Sequence, residues 1–204
     1  MIQKLFLLLL PAALLAQPDA DTILKRVDEN IIADTKVLTS TMQIETRRGS
    51  RSVTSRSWIR GEDEAFTEYL APPREKGTKM LKLEDQLWTY SPQTDRTIKI
   101  SGHMLRQSVM GSDLSYEDMM EDKSLQEAYD AQVIGEETVL DRNCWVLELT
   151  AVEDDVAYPK RKVWVAKDVY VVMKEERYAK SGRLLKTTTV QELENIDGRW
   201  VATR

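Results

Sequence analysis

The hydrophobic positions of this chain change period twice. From Asp19 onward, Ile23, Val27 and Ile31 recur at four-residue spacing with Leu24 beside them, while Lys25, Arg26, Asp28 and Glu29 lie between. That pattern predicts an amphipathic helix with one apolar stripe, begun just after Pro18 and capped by Asp19 or Asp21. After Val37 the period falls to two, with Leu38, Met42 and Ile44 nearly in phase. Alternating segments then follow one another, punctuated by Gly49, Gly61, the Pro72–Pro73 pair, the Glu84–Asp85 turn and the Ser91, Pro92, Gln93 turn. Six short strands with turn-length connections predict an antiparallel meander, because a parallel sheet needs long crossovers.

The stretch SVMGSDLSYEDMM, from Ser108 to Met120, interrupts the alternation. Gly111 permits a tight turn, Asp113 is suited to hydrogen-bond it, and Ser115 followed by Asp118 has the spacing of a capping box. Tyr116, Met119 and Met120 then fall on a first helical turn, so the segment reads as a corner between sheet and helix. Five more strands follow, the last two joined at Lys180, Ser181, Gly182 and Arg183 and the final one running on from Leu184 to Leu193. The fold class is mainly β (α+β). A strongly curved antiparallel sheet forms an incomplete barrel over the N-terminal helix and a short inserted helical segment.

Composition narrows the setting. Lys4 followed by the apolar run Leu5 to Leu15, then Ala16 before Gln17, has the form of a secretory leader at residues 1–16, too short to span a bilayer as a structural helix. Residues 17–204 then form a single domain. Removing Lys4 with the leader leaves the mature chain one unit more acidic than the net −5 of the whole. Acidity with interspersed signs argues against nucleic acid as a partner and gives no general attraction to anionic lipid. The single Cys144 leaves no internal disulfide, and its apolar neighbours predict a buried thiol.

Chemistry is sparse. His103 is the one histidine, so neither a histidine metal cluster nor a histidine relay can be assembled. The acids between Asp113 and Asp118 lack the alternating ligands and central glycine of a calcium loop. No catalytic, cofactor or metal site is expected. Arg47, Arg48 and Arg51 gather at one hairpin, as a solvated tip or a contact for an acidic partner. Trp58, Trp88, Trp145, Trp164 and Trp200 all fall on strands or strand ends, as core residues or as walls of a cavity; Trp164, in phase with Lys162, reads as a rim residue. A cavity lined by Ile23, Val27, Ile31, Met42, Trp58, Phe66, Tyr69, Met80, Leu83, Trp88 and Met119 would combine rings and thioethers that adapt to apolar chains. The segment marked by Gly102, Met110, Gly111, Asp113, Ser115, Tyr116 and Asp118 would be its lid or corner, hinged at Gly102 and Gly111.

Several strings carry a resemblance: ILKRVDEN on the first helix, LAPPREKGTKML from Leu70, LWTYSP from Leu87, MGSDLSYED from Met110, YPKRKVWV from Tyr158, ERYAKSGRLLKT from Glu176 and IDGRW from Ile196. Together they span the mature chain, which resembles the outer membrane lipoprotein-sorting proteins of the LolA/LolB-like superfamily. The resemblance implies an incomplete barrel of about eleven strands over helices, with a hydrophobic interior that receives acyl chains. It also implies the periplasm of a Gram-negative bacterium after leader removal; no second apolar run is long enough to cross a bilayer, so the mature chain is expected to be soluble, and it is expected to be a monomer. Such a protein is a non-enzymatic carrier or chaperone of lipoproteins or other acylated molecules, taking cargo from an inner-membrane transporter to an outer-membrane acceptor. Relatives continue past the IDGRW segment, so the chain is expected to be short at its C-terminus, with an exposed sheet edge. The alternative is an adaptor of an envelope transport complex, with a filled interior and a contact surface outside.

Overall fold

The computed structural model describes residues 18–47, 49–120, 124–154 and 156–204. The leader read at residues 1–16 and Arg48 lie outside the described residues. Helix α1 spans Ala20–Ile31, and Asp19 caps it by accepting a 2.7 Å hydrogen bond from the Thr22 amide. Its stripe is buried as far as Val27: Ile23, Leu24 and Val27 are at most 1% exposed, whereas Ile31 is 52% exposed.

The first six strands form one meander: β1 (Thr35–Thr46), β2 (Gly49–Arg60), β3 (Glu64–Ala71), β4 (Lys79–Leu83), β5 (Gln86–Ser91) and β6 (Arg96–Ile100). The corner segment follows, comprising single-turn helices at Gly102–Arg106 and Val109–Gly111, then α2 (Tyr116–Met120) and α3 (Leu125–Ala128). A second meander contains β7 (Tyr129–Val139), β8 (Arg142–Ala151), β9 (Lys160–Ala166), β10 (Val172–Tyr178) and β11 (Leu184–Thr189). Every strand pair is antiparallel and, among the described residues, no ladder closes a barrel.

The strand predicted from Leu184 to Leu193 ends earlier. β11 stops at Thr189, and Leu193 opens a separate hairpin of β12 (Leu193–Ile196) and β13 (Arg199–Ala202). Asp197 and Gly198 turn it with φ of 51° and 84°, the left-handed pair that a two-residue hairpin loop requires. The hairpin closes the end of α1. Arg199 donates to the Glu29 carbonyl at 2.8 Å and to that of Ile32, where a cation meets the negative end of the helix. Asn30 donates to the carbonyls of Val169 and Tyr170 and accepts from the Trp200 amide, joining helix, second sheet and hairpin.

Three apolar clusters result. The first lies between α1 and one face of the second sheet, with Trp145, Leu147, Leu149, Val163 and Val165 beneath Ile23, Leu24 and Val27. The second occupies the opposite face, where Cys144, Val146, Trp164 and Met173 meet Leu193 and Trp200 of the hairpin. Cys144 is fully buried, and burial pushes its thiol up. Trp164 is a core residue and not a rim residue: it is 2% exposed, Lys162 and Lys174 lie over its ring, and its indole N–H donates to Glu137 at 2.8 Å. The third cluster seats the corner on the first sheet, with Met104, Leu105, Met110, Tyr116 and Met119 against Ile44, Val53, Tyr69, Met80, Leu87 and Ile100.

Candidate ligand site between the two sheets

The corner is held from both ends. Met110 and Gly111 take left-handed φ of 51° and 65°, and Arg51 of the first sheet donates to the Met110 carbonyl. A Cβ on Gly111 would stand 3.0 Å from the Arg51 guanidinium, so this position suits glycine sterically as well as by conformation. The turn's side-chain bonds come from Ser112, which donates to the Val109 carbonyl and accepts from the Leu114 amide, while Asp113 is exposed. Ser115 and Asp118 form the reciprocal box that their spacing predicts: the Asp118 amide donates to the Ser115 hydroxyl at 3.2 Å, and the Ser115 amide to the Asp118 carboxylate at 2.6 Å.

Asp118 does more than cap. Its side chain is 4% exposed and accepts from the Tyr158 hydroxyl at 2.7 Å, from Arg177 of β10 at 3.0 Å and from Lys186 of β11. Burial alone would raise its pKa, but the bonds from Lys186, the Ser115 amide and Tyr158 outweigh it and hold the carboxyl at about 2. The network continues inward. Arg177 also meets Glu175 at 3.0 Å, and Glu175 accepts from Arg161 at 2.9 Å. The Arg161 guanidinium lies over the rings of Tyr129 and Tyr158, at 4.7 and 5.5 Å from their centroids. Helix α2 therefore turns its hydrophobes toward the first sheet and one carboxylate toward the second.

A cavity of about 430 Å³ opens where α1, α2, α3 and both sheets converge. Its apolar walls include Ile31, Ile59, Met120, Leu125, Val163 and Val172, and charged groups from Asp28, Lys36, Glu62, Glu117, Arg161, Glu175 and Arg177 also line it. Asp28 crosses from α1 to cap α3, accepting from the Ser124 hydroxyl at 2.5 Å and from the amides of Leu125 and Gln126. Among the described residues no group of three His, Cys, Asp or Glu side chains is placed to hold a metal.

A family model described as uncharacterized-protein-like matches residues 61–204. A DUF1329 family protein from Desulfovibrio piger superposes with a TM-score of 0.82 at 26% identity, over 90% of this chain and 82% of that one. A domain assigned to the outer membrane lipoprotein-sorting proteins, from Vibrio parahaemolyticus, gives 0.74 at 25% identity over 88% and 81%. A LolA superfamily protein from Nitrosomonas europaea gives 0.71 at 25% identity over 90% and 82%. The chain belongs to the family that this model describes, and it shares the LolA-like fold of these structures. No curated protein matches it at a significant level.

In this LolA-like protein the residues assigned to one cavity fall into three groups. Ile23 and Val27 are packed plug residues on the buried face of α1, and Ile31 alone of the helix stripe lines the 430 Å³ space. Met42, Tyr69, Met80 and Met119 meet in the core beneath the corner. There Tyr69 donates to the Met80 sulfur at 3.4 Å, and burial first, then the nearby Tyr116 and Glu75, push its phenol up to about 12. Trp58, Phe66, Leu83 and Trp88 lie on the other face of the first sheet, in register through Trp58 opposite Phe66, Phe66 opposite Leu81 and Leu81 opposite Trp88. Of the corner residues, Met110, Tyr116 and Asp118 pack inward, Ser115 caps, and Gly102 and Asp113 are exposed.

The residues that the sequence reading missed are Tyr158, Arg161, Glu175, Arg177 and Lys186. One signal was present. Arg161 shares strand parity with Val163 and Val165, so a strand that buries both valines must bury the arginine as well.

Proposed function

We propose that this protein is a non-enzymatic periplasmic carrier of acylated molecules, holding an acyl chain in the cavity between α1, α2–α3 and the two sheets. The single observation that carries the reading is that cavity: about 430 Å³, with a predominantly apolar surface, and placed where the corner helix meets both sheets. Its size falls within the ~300–1,000 Å³ of sites that enclose small ligands. Each methylene removed from water contributes about 0.8 kcal/mol, so binding needs no covalent chemistry. The family resemblance to lipoprotein-sorting proteins supports the same cargo class. No helix among the described residues is long and apolar enough to cross a membrane, consistent with a carrier that crosses an aqueous space.

The test is titration with a fluorescent long-chain fatty acid. Ile31→Glu places a charge on the cavity wall at a position already 52% exposed, so the fold should tolerate it. Affinity for the probe should fall by about tenfold or more, since an unpaired charge facing an apolar ligand costs well over 1 kcal/mol. Unchanged affinity with an unchanged melting temperature would remove the cavity from the account.

A further inference from the structure

The outer face of the first sheet carries an apolar row that no described element covers. In register across five strands stand Val37, Trp58, Phe66, Leu81 and Trp88, and the row ends at Lys99 of β6. Val37 is 58% exposed, and Trp58 and Leu81 more than a third. Beside the row, Phe66, Leu81, Leu83 and Trp88 line an open groove of about 370 Å³ whose polar members are Lys79, Tyr90 and Thr97. The second sheet differs, since its outer face is packed by the β12–β13 hairpin. An exposed aromatic row of this length is the kind of surface that marks an interaction site.

Charge identifies the occupant. On this face Arg56, Arg60, Lys79 and Lys99 stand against Glu45, Glu64 and Glu68, with Arg60 paired to Glu64, so its strands carry one cation in excess although the whole chain is acidic. Arg56 lies over the Trp58 ring at 5.1 Å and Lys99 over the Trp88 ring at 5.7 Å, so cations flank the exposed indoles directly. Indoles with adjacent Lys and Arg suit the boundary between head groups and acyl chains, where rings enter and ammonium or guanidinium groups meet phosphate. A sugar would find few polar partners in a groove walled by Phe66, Leu81, Leu83 and Trp88. We propose that the outer face of the first sheet docks the protein on the surface of an anionic phospholipid bilayer. Local cations decide this contact because screening confines electrostatics to about 8 Å at physiological salt. Docking uses the opposite face of the sheet from the corner and does not require the cavity to carry cargo.

The experiment is co-flotation with vesicles of phosphatidylglycerol and phosphatidylethanolamine. Wild type should float with the vesicles at low salt and less as salt rises. The double variant Trp58→Ser, Trp88→Ser should lose binding by about tenfold or more. Lys79→Glu with Lys99→Glu should weaken binding and flatten its salt dependence. Ile31→Glu, which places a charge on the cavity wall, should float like wild type. The proposal is overturned by absence of flotation or by unchanged flotation of the double tryptophan variant. Loss of flotation in Ile31→Glu also overturns it, because vesicles would then be bound through the cavity. So does a concentration-dependent dimer that the tryptophan variant abolishes, because the face would then bind a second copy.

Discussion

Replacing Asp118 by alanine is expected to destabilise the protein by about 3–5 kcal/mol, the range for removing one partner from a buried ionic network. The carboxylate is 4% exposed and serves Tyr158, Arg177, Lys186 and the cap of α2 together, so its loss is felt on both sheets. Asp118→Asn keeps the shape and a neutral acceptor, and should lose less than the alanine variant. The pH dependence separates charge from shape. Because the folded carboxyl titrates at about 2 and an ordinary aspartate at 3.8, its contribution is complete above 3.8 and is lost as pH falls through about 2. The shift corresponds to about 2 kcal/mol. Urea unfolding should therefore show wild type losing stability more steeply than Asp118→Asn on acidification across that window. Parallel curves would mean that the carboxylate is not the charged hub described here.

Leu147→Ala is expected to cost about 2–5 kcal/mol, the lost transfer energy plus the cavity left behind. Leu147 is fully buried, stands between Val133 and Val163 in register, and supports α1 through Ile23, Leu24 and Val27. The helix joins no ladder, so side-chain packing and its end contacts at Asn30 and Arg199 fix it. Amide exchange in α1 should accelerate with the loss of global stability. Leu184→Ala is the matched control: its side chain is 48% exposed, and the change should stay within about 0.5 kcal/mol. A loss below about 1 kcal/mol at Leu147 would show that the site collapses around the deletion.

These two residues mark the boundary of what sequence alone reveals. Helix α1, the six-strand meander and the Ser115–Asp118 cap rest on local spacing and were legible for that reason. So was the buried environment of Cys144. The face of each strand was not: alternation separates residues into two sets without saying which set is covered. Trp58 and Trp88 were thus grouped with Met80, although register puts them on opposite sides of the first sheet. The partners of Asp118 on the second half of the chain, Tyr158, Arg177 and Lys186, lie 40 to 68 residues further along, beyond any local pattern. The final hairpin was missed: the Asp197–Gly198 pair is a local turn signal, but the alternation after Leu184 concealed the break at Val190.

The carrier function proposed for this protein requires an acyl chain in the space beside Ile31. Native mass spectrometry of the protein purified from the periplasm of its own cells, followed by lipid extraction, tests it most directly. The carrier reading predicts acylated species bound to wild type and absent from Ile31→Glu. Recovery of both proteins at the bare polypeptide mass, with no acyl chain in either extract, would contradict it.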